Sequence, residues 1–142
     1  MSETDRYADP HRVLHWLVAA VLLLSLASGL TLGFLGFEGA VERFGRSGTD
    51  VLYTGHKSLG VALLAHPMLG WAATASGDFP VQFLHWHLPG VVPVNEALSE
   101  RLFEWHGRLG WGILGLVTLH ITGALYHWLI RRDNVMKRMS LF

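Results

Sequence analysis

The chain has no cysteine among its 142 residues. That excludes disulfides, thiolate metal sites, iron–sulfur clusters and covalently attached c-type haem. Charge is scarce too. Asp, Glu, Lys and Arg make up 15% of the residues, against roughly 25% in soluble domains. The 11 basic and 11 acidic side chains cancel, so there is no nucleic-acid footprint. Charge is lacking most completely in two stretches. Val13–Phe37 and Leu109–Ile130 contain no Asp, Glu, Lys or Arg, and each is long enough to cross a hydrocarbon core of roughly 30 Å. A third apolar segment, Val51–Ala75, is weaker, with Lys57 near its start and Pro67 in its middle.

What remains is 51% hydrophobic, with a mean hydropathy of +0.33. Length argues for a single membrane domain over 1–142. The first apolar run exceeds a typical signal-peptide core, and no small-x-small cleavage site clearly follows it. It is expected to be a retained helix starting near Asp9-Pro10. Trp16, Trp105 and Trp128 lie near expected helix ends, where an interfacial aromatic belt belongs. Residues 36–50, GFEGAVERFGRSGTD, read as a Gly-rich loop, and 76–100 as irregular chain. The tail carries Arg131, Arg132, Lys137 and Arg138, whereas 76–104 carries only Arg101. This bias puts the C-terminus in the cytoplasm.

Nine histidines stand out against this background. His106 and His120 are fourteen residues apart on one apolar helix. Fourteen steps of 100° bring both rings to about the same face, about 21 Å apart along the axis. His15 opens the first apolar run and His56 the second. An ionisable side chain within a membrane segment is functional by default, because burying it unpaired is expensive. The plain alternative for any one of them is a neutral imidazole bonded to a backbone carbonyl. Zinc would need three or four ligands converging on one point, which ligands about 21 Å apart on one face cannot do. Bis-imidazole haem needs two opposed nitrogens per iron. A histidine proton relay would recruit carboxylates within the membrane, and the two strong spans have none.

The residue four positions after each of these histidines is small: Ala19, Gly60, Gly110 and Ala124. That suits close approach of a flat ring, or equally simple helix packing. His127 stands two turns beyond His120 and is an alternative partner for His15. His11 reads as interfacial, His85 and His87 as surface residues of a Pro-rich loop. His66, followed by Pro67, has no clear role.

On these residues the chain resembles the bacterial cytochrome b561 family, which includes the b-type cytochrome subunits of nickel–iron hydrogenases. The matching motifs are LHW at Leu14–Trp16, GHKSLG at Gly55–Gly60 and the run WHGRLGW…LGLVTLHITGALYH…RRDNVMKRM. GW at Gly70–Trp71 and LPGVV at Leu88–Val92 match more weakly. The resemblance implies an all-α integral membrane bundle with two b-type haems that passes electrons between a quinone or quinol and a redox partner. It further implies that His15 and His120 hold a cytoplasmic-side haem, and His56 and His106 a periplasmic-side one. The implied location is the bacterial inner membrane, with several passes.

The chain departs from the family between helices two and three, where it is shortened. GHKSLGVALLA runs almost directly into HPMLGWAATASGD, leaving three apolar segments instead of four transmembrane helices. Val51–Ala75 either crosses once, which its length favours, or re-enters as a hairpin broken near Pro67. A single crossing would pair His15 with His106 and His56 with His120. Re-entry keeps both termini inside and leaves the family pairing intact.

Two haems are expected, or one if the shortening removed a site. The chain is then an electron carrier or a quinone-linked oxidoreductase. Its partner would be a dehydrogenase, a hydrogenase or a small redox substrate, and a homodimer is compatible with the sequence. Lys57, Arg101 and Arg108 fall where they could pair with haem propionates, or serve as solvated interfacial charges. The rival reading is a haem-deficient remnant or accessory subunit of a respiratory complex.

Overall fold

The computed structural model describes residues 6–63, 67–83 and 86–141. Helix α1 covers Asp9–Leu63 and α2 covers Pro67–Ser76. Strands β1 (Val81–Phe83) and β2 (Trp86–Leu88) follow, then α3 (Glu96–Tyr126), a π-helical turn His127–Arg131 and the short α4 (Val135–Met139). Two helices, Asp9–Gly60 and Glu96–Arg131, are long and apolar enough to cross a membrane. The fold is therefore mostly helical, as expected, with a small hairpin added.

Helix α1 is not straight. Gly36 (φ 64°, ψ −177°) and Gly45 (φ 71°, ψ 170°) leave helical geometry. Only glycine adopts this combination at low cost, so each breaks the axis. The expected 36–50 loop is thus a helical piece between two glycine corners, because AVERF between them favours helix. The chain doubles back across these corners. The Phe37 and Tyr53 rings meet at 6.0 Å, and Arg46 lies over Phe37 at 5.7 Å. Ser25 and Ser28 reach His56.

The chain divides into two compact units, Val21–Trp111 and a second made of Met1–Ala20 with Gly112–Phe142. Within Val21–Trp111, Gly70 lies beside the His56–His106 pair. A Cβ placed on Gly70 would lie 3.1 Å from the His106 ring, and His56 faces that same ring. A continuous helix would carry residue 70 about 21 Å from residue 56. Instead the chain has come back to the level of His56 by residue 70.

Helix α2 then meets the start of α3. The Ser99 hydroxyl donates to the Ala73 carbonyl at 2.7 Å, and Asn95 N–H to the Ser76 carbonyl at 2.7 Å. Asn95 also caps α3, accepting from Leu98 N–H at 3.0 Å. The β1–β2 hairpin pairs Val81 with Leu88 and Phe83 with Trp86. It is tied down by Trp71 Nε1–H to the Pro89 carbonyl and Lys57 Nζ to the Pro80 carbonyl.

In the other unit the tail straps the start of α1. The Arg138, Met139 and Ser140 carbonyls accept from Tyr7 N–H, Trp16 Nε1–H and the Arg12 guanidinium, respectively. Arg12 is buried and also pairs with Asp9. These bonds put residues 7–16 and the tail on one side.

Burial is inverted relative to a water-soluble bundle. The fully buried side chains include Thr49 and Ser76, whereas Phe34 is 74% exposed and Leu119 and Ile130 are each 70% exposed. So much exposed apolar surface is stable in lipid and a liability in water. Thr31, Thr118 and Thr122 return their hydroxyls to carbonyls four residues earlier. That leaves no unbonded hydroxyl facing hydrocarbon at these positions.

Candidate haem-binding sites

The four candidate histidines come together as two pairs, one within each unit. In Val21–Trp111, the rings of His56 and His106 lie 6.1 Å apart between centroids at an interplanar angle of 82°. In the other unit, His15 and His120 lie 6.0 Å apart at 55°.

These separations fit a flat metal cofactor held between two imidazoles. A metal–nitrogen bond of about 2 Å on each side, plus about 1.1 Å from ring nitrogen to ring centre, gives roughly 6.2 Å. Among the described residues, no three His, Asp or Glu side chains converge on a point. The donor set therefore suits bis-imidazole iron and not a tetrahedral zinc site.

His56 is held by more than its helix. Its Nδ1 lies 3.1 Å from the Ser25 carbonyl oxygen and 3.1 Å from Ser28 Oγ. A carbonyl only accepts, so Nδ1 carries the hydrogen and Nε2 keeps the lone pair that binds metal. Gly29 completes this seat, since a Cβ there would lie 2.7 Å from His56 Cε1. Gly70 does the same for His106 at 3.1 Å. Sequence reasoning missed Ser25, Ser28 and Gly29, and had Gly70 only as part of the weak GW match, not as a seat for His106. They sit 27 to 36 residues from the rings they touch, and no local pattern announces them. The rule of a small residue four positions on does not describe the seats that form: a Cβ on Gly110 would meet nothing within 4 Å.

The His15–His120 pair is more open. His15 is half-buried and His120 exposed. Trp16 stands edge-on to His15 at 5.4 Å. Among the described residues, neither ring makes a hydrogen bond.

His127, the alternative partner for His15, is engaged elsewhere. Its Nδ1 lies 2.6 Å from Asp133 Oδ2. That hydrogen bond first, then the Val135 N–H and the charges of His127 and Arg131, holds the Asp133 carboxyl below the usual carboxylate range. Asp133 in turn starts α4 by accepting from Val135 N–H at 3.1 Å.

Two of the three expected propionate-binding cations have other partners. Lys57 bonds the Pro80 carbonyl. Arg108 pairs with Glu104 at 2.6 Å and lies over Trp105 at 5.3 Å. Arg101 is exposed, as are His11 and His87. His66 and His85 lie outside the described residues.

The family model for prokaryotic cytochrome b561 matches residues 61–140. Cytochrome b561 homolog 1 of Escherichia coli K12 is 33% identical over 87 residues, which are 59% of this chain and 48% of that protein. The chain thus spans about half the length of this relative. His106 and His120 fall inside the family match, and His15 and His56 precede it.

Proposed function

Because this chain belongs to the prokaryotic cytochrome b561 family of bacterial membrane b-type cytochromes, we propose that it is a di-haem electron carrier serving a quinone or quinol and a redox partner. His56 with His106 would hold one haem b, and His15 with His120 the other. The observation that carries this reading is the pair of ring separations, 6.1 and 6.0 Å, each suited to one iron.

Bound haem supplies a reversible one-electron couple, and the protein supplies ligation, orientation and a low dielectric. Held by two histidines each, the haems would serve electron transfer rather than substrate binding at iron. Ser25 and Ser28 fix the donor nitrogen of His56, and Gly29 and Gly70 leave room for the rings to seat.

We propose a membrane placement on the same reading. Residues 7–16 and the tail share one side, which requires an even number of crossings. We take 9–35 and Glu96–Arg131 as full spans, with 46–63 and α2 as a re-entrant hairpin between them. Such a hairpin is tolerated where protein and cofactor cover it. Arg131, Arg132, Lys137 and Arg138 orient the tail towards the cytoplasm across the inner membrane.

Rapid mixing of the oxidised, detergent-purified protein with a ubiquinol or menaquinol analogue tests this function. The visible α-band of reduced b-type haem should appear, and His56→Ala and His15→Ala should each remove part of it. A haem-loaded protein that neither quinol reduces, and whose reduced form no quinone oxidises, would contradict the quinone-linked role. A protein without haem would leave the accessory-subunit reading standing.

A further inference from the structure

Resting on the haem reading above, we propose that Ser28 is a positioning residue for His56 that lowers the reduction potential of the haem bound there. The Ser25 carbonyl accepts from the Ser28 hydroxyl at 3.0 Å and from His56 Nδ1–H at 3.1 Å. With its own hydrogen directed to Ser25, the Ser28 oxygen turns a lone pair to the same Nδ1–H, 3.1 Å away. One N–H is thereby shared between two acceptors.

Acceptors on the outer nitrogen of a ligating imidazole fix its tautomer and raise its basicity. A more basic ligand favours the oxidised, more positive iron, so the potential falls. This polar cradle lies in an otherwise apolar stretch, LLLSLASGL, where each polar contact counts for more than it would in water. The corner glycines make it. Without the fold-back at Gly36 and Gly45, residues 25–28 could not reach residue 56. Gly29, one residue on, leaves the space that the imidazole occupies, since a Cβ there would lie 2.7 Å from its Cε1.

The effect is local to one pair. Among the described residues, the rings of His15 and His120 make no hydrogen bond, so the same two-acceptor arrangement does not tune them. The two haems are therefore expected to differ in potential, the one at His56–His106 being lower by the contribution of Ser25 and Ser28.

The test is an equilibrium redox titration of the full-length, haem-loaded protein, alongside haem quantification as the pyridine haemochrome. Ser28→Ala should leave two haems per chain and raise the midpoint of one component. Losing one of two acceptors shifts its oxidised-to-reduced equilibrium by about fivefold, or about 40 mV at about 59 mV per tenfold. Ser28→Thr should restore the wild-type curve, and Ser28→Cys, a weaker acceptor, should fall between. If Ser28→Ala does not retain haem, the comparison of Ser28→Cys with Ser28→Thr carries the same sign. Haem-loaded Ser28→Ala or Ser28→Cys with both midpoints unchanged would overturn the proposal while leaving the haem assignment intact. Wild-type protein without haem would overturn both.

Discussion

The two histidine pairs have nearly the same ring separation and very different surroundings. His56–His106 is seated by two glycines, a carbonyl and a hydroxyl, all in one compact unit. His15–His120 has a neighbouring Trp16, an exposed partner ring and, a few residues away, a hydrogen-bonded strap of chain ends. One site is built by close packing on the ring itself, the other by tying down the segment that carries it. The ligands alone do not determine how a site is held. The first pair should be sensitive to changes beside the rings, and the second to changes in the tail.

The largest effect that can break this comparison is removal of a ligand. His56→Ala or His106→Ala should cut haem content from two to one per chain and leave the His15–His120 haem, and His15→Ala or His120→Ala should do the converse. Pyridine haemochrome quantification reads this directly. Loss of both haems in every variant, with folding intact by circular dichroism, would mean that the sites are not separate.

Next comes crowding of the seat. Gly29→Val should displace the His56 ring and lose that haem, because even the Cβ would lie 2.7 Å from it. Gly110→Ala, with open space around it, should keep both haems and also improve helix propensity by about 1 kcal/mol. Equal effects from the two would contradict the packing account.

A smaller effect is expected at the strap. Trp16→Phe removes the bond to the Met139 carbonyl, worth about 1 kcal/mol. It should speed haem loss from the His15–His120 site on thermal challenge without changing the other site. Smallest is the response to acid of the turn that starts α4. Asp133 has a lowered pKa, so its contribution is complete above the ordinary Asp value of about 3.9 and is lost as pH falls through the lowered one. Asp133→Asn should abolish that acid transition, read by proteolysis of the tail, and make the turn slightly easier to cleave at neutral pH.

Much of this was legible in the sequence. The charge-free spans, the helix start at Asp9 and the four histidines follow from composition and from periods of 3.6 residues, which are local properties. The family motifs point to the same two pairs whose rings lie about 6 Å apart, His56–His106 and His15–His120. The seats were not legible, because contacts such as Gly29 on His56 exist only once the chain has folded back. The corners themselves hid in GFEGAVERFGRSGTD, where glycine signals a loop but the residues between sustain a helix. The return of the shortened middle was equally hidden. Length alone favoured a crossing, whereas contacts at His106 bring Gly70 back beside His56.

The central claim is that each histidine pair holds one haem b. The most direct test is the reduced-minus-oxidised visible spectrum of the purified wild-type protein, with haem counted per chain. Two haems, with a b-type α-band, is the expected result. No haem from haem-replete cells would contradict the claim, and His56→Ala and His106→Ala variants that lose different haems would contradict the pairing.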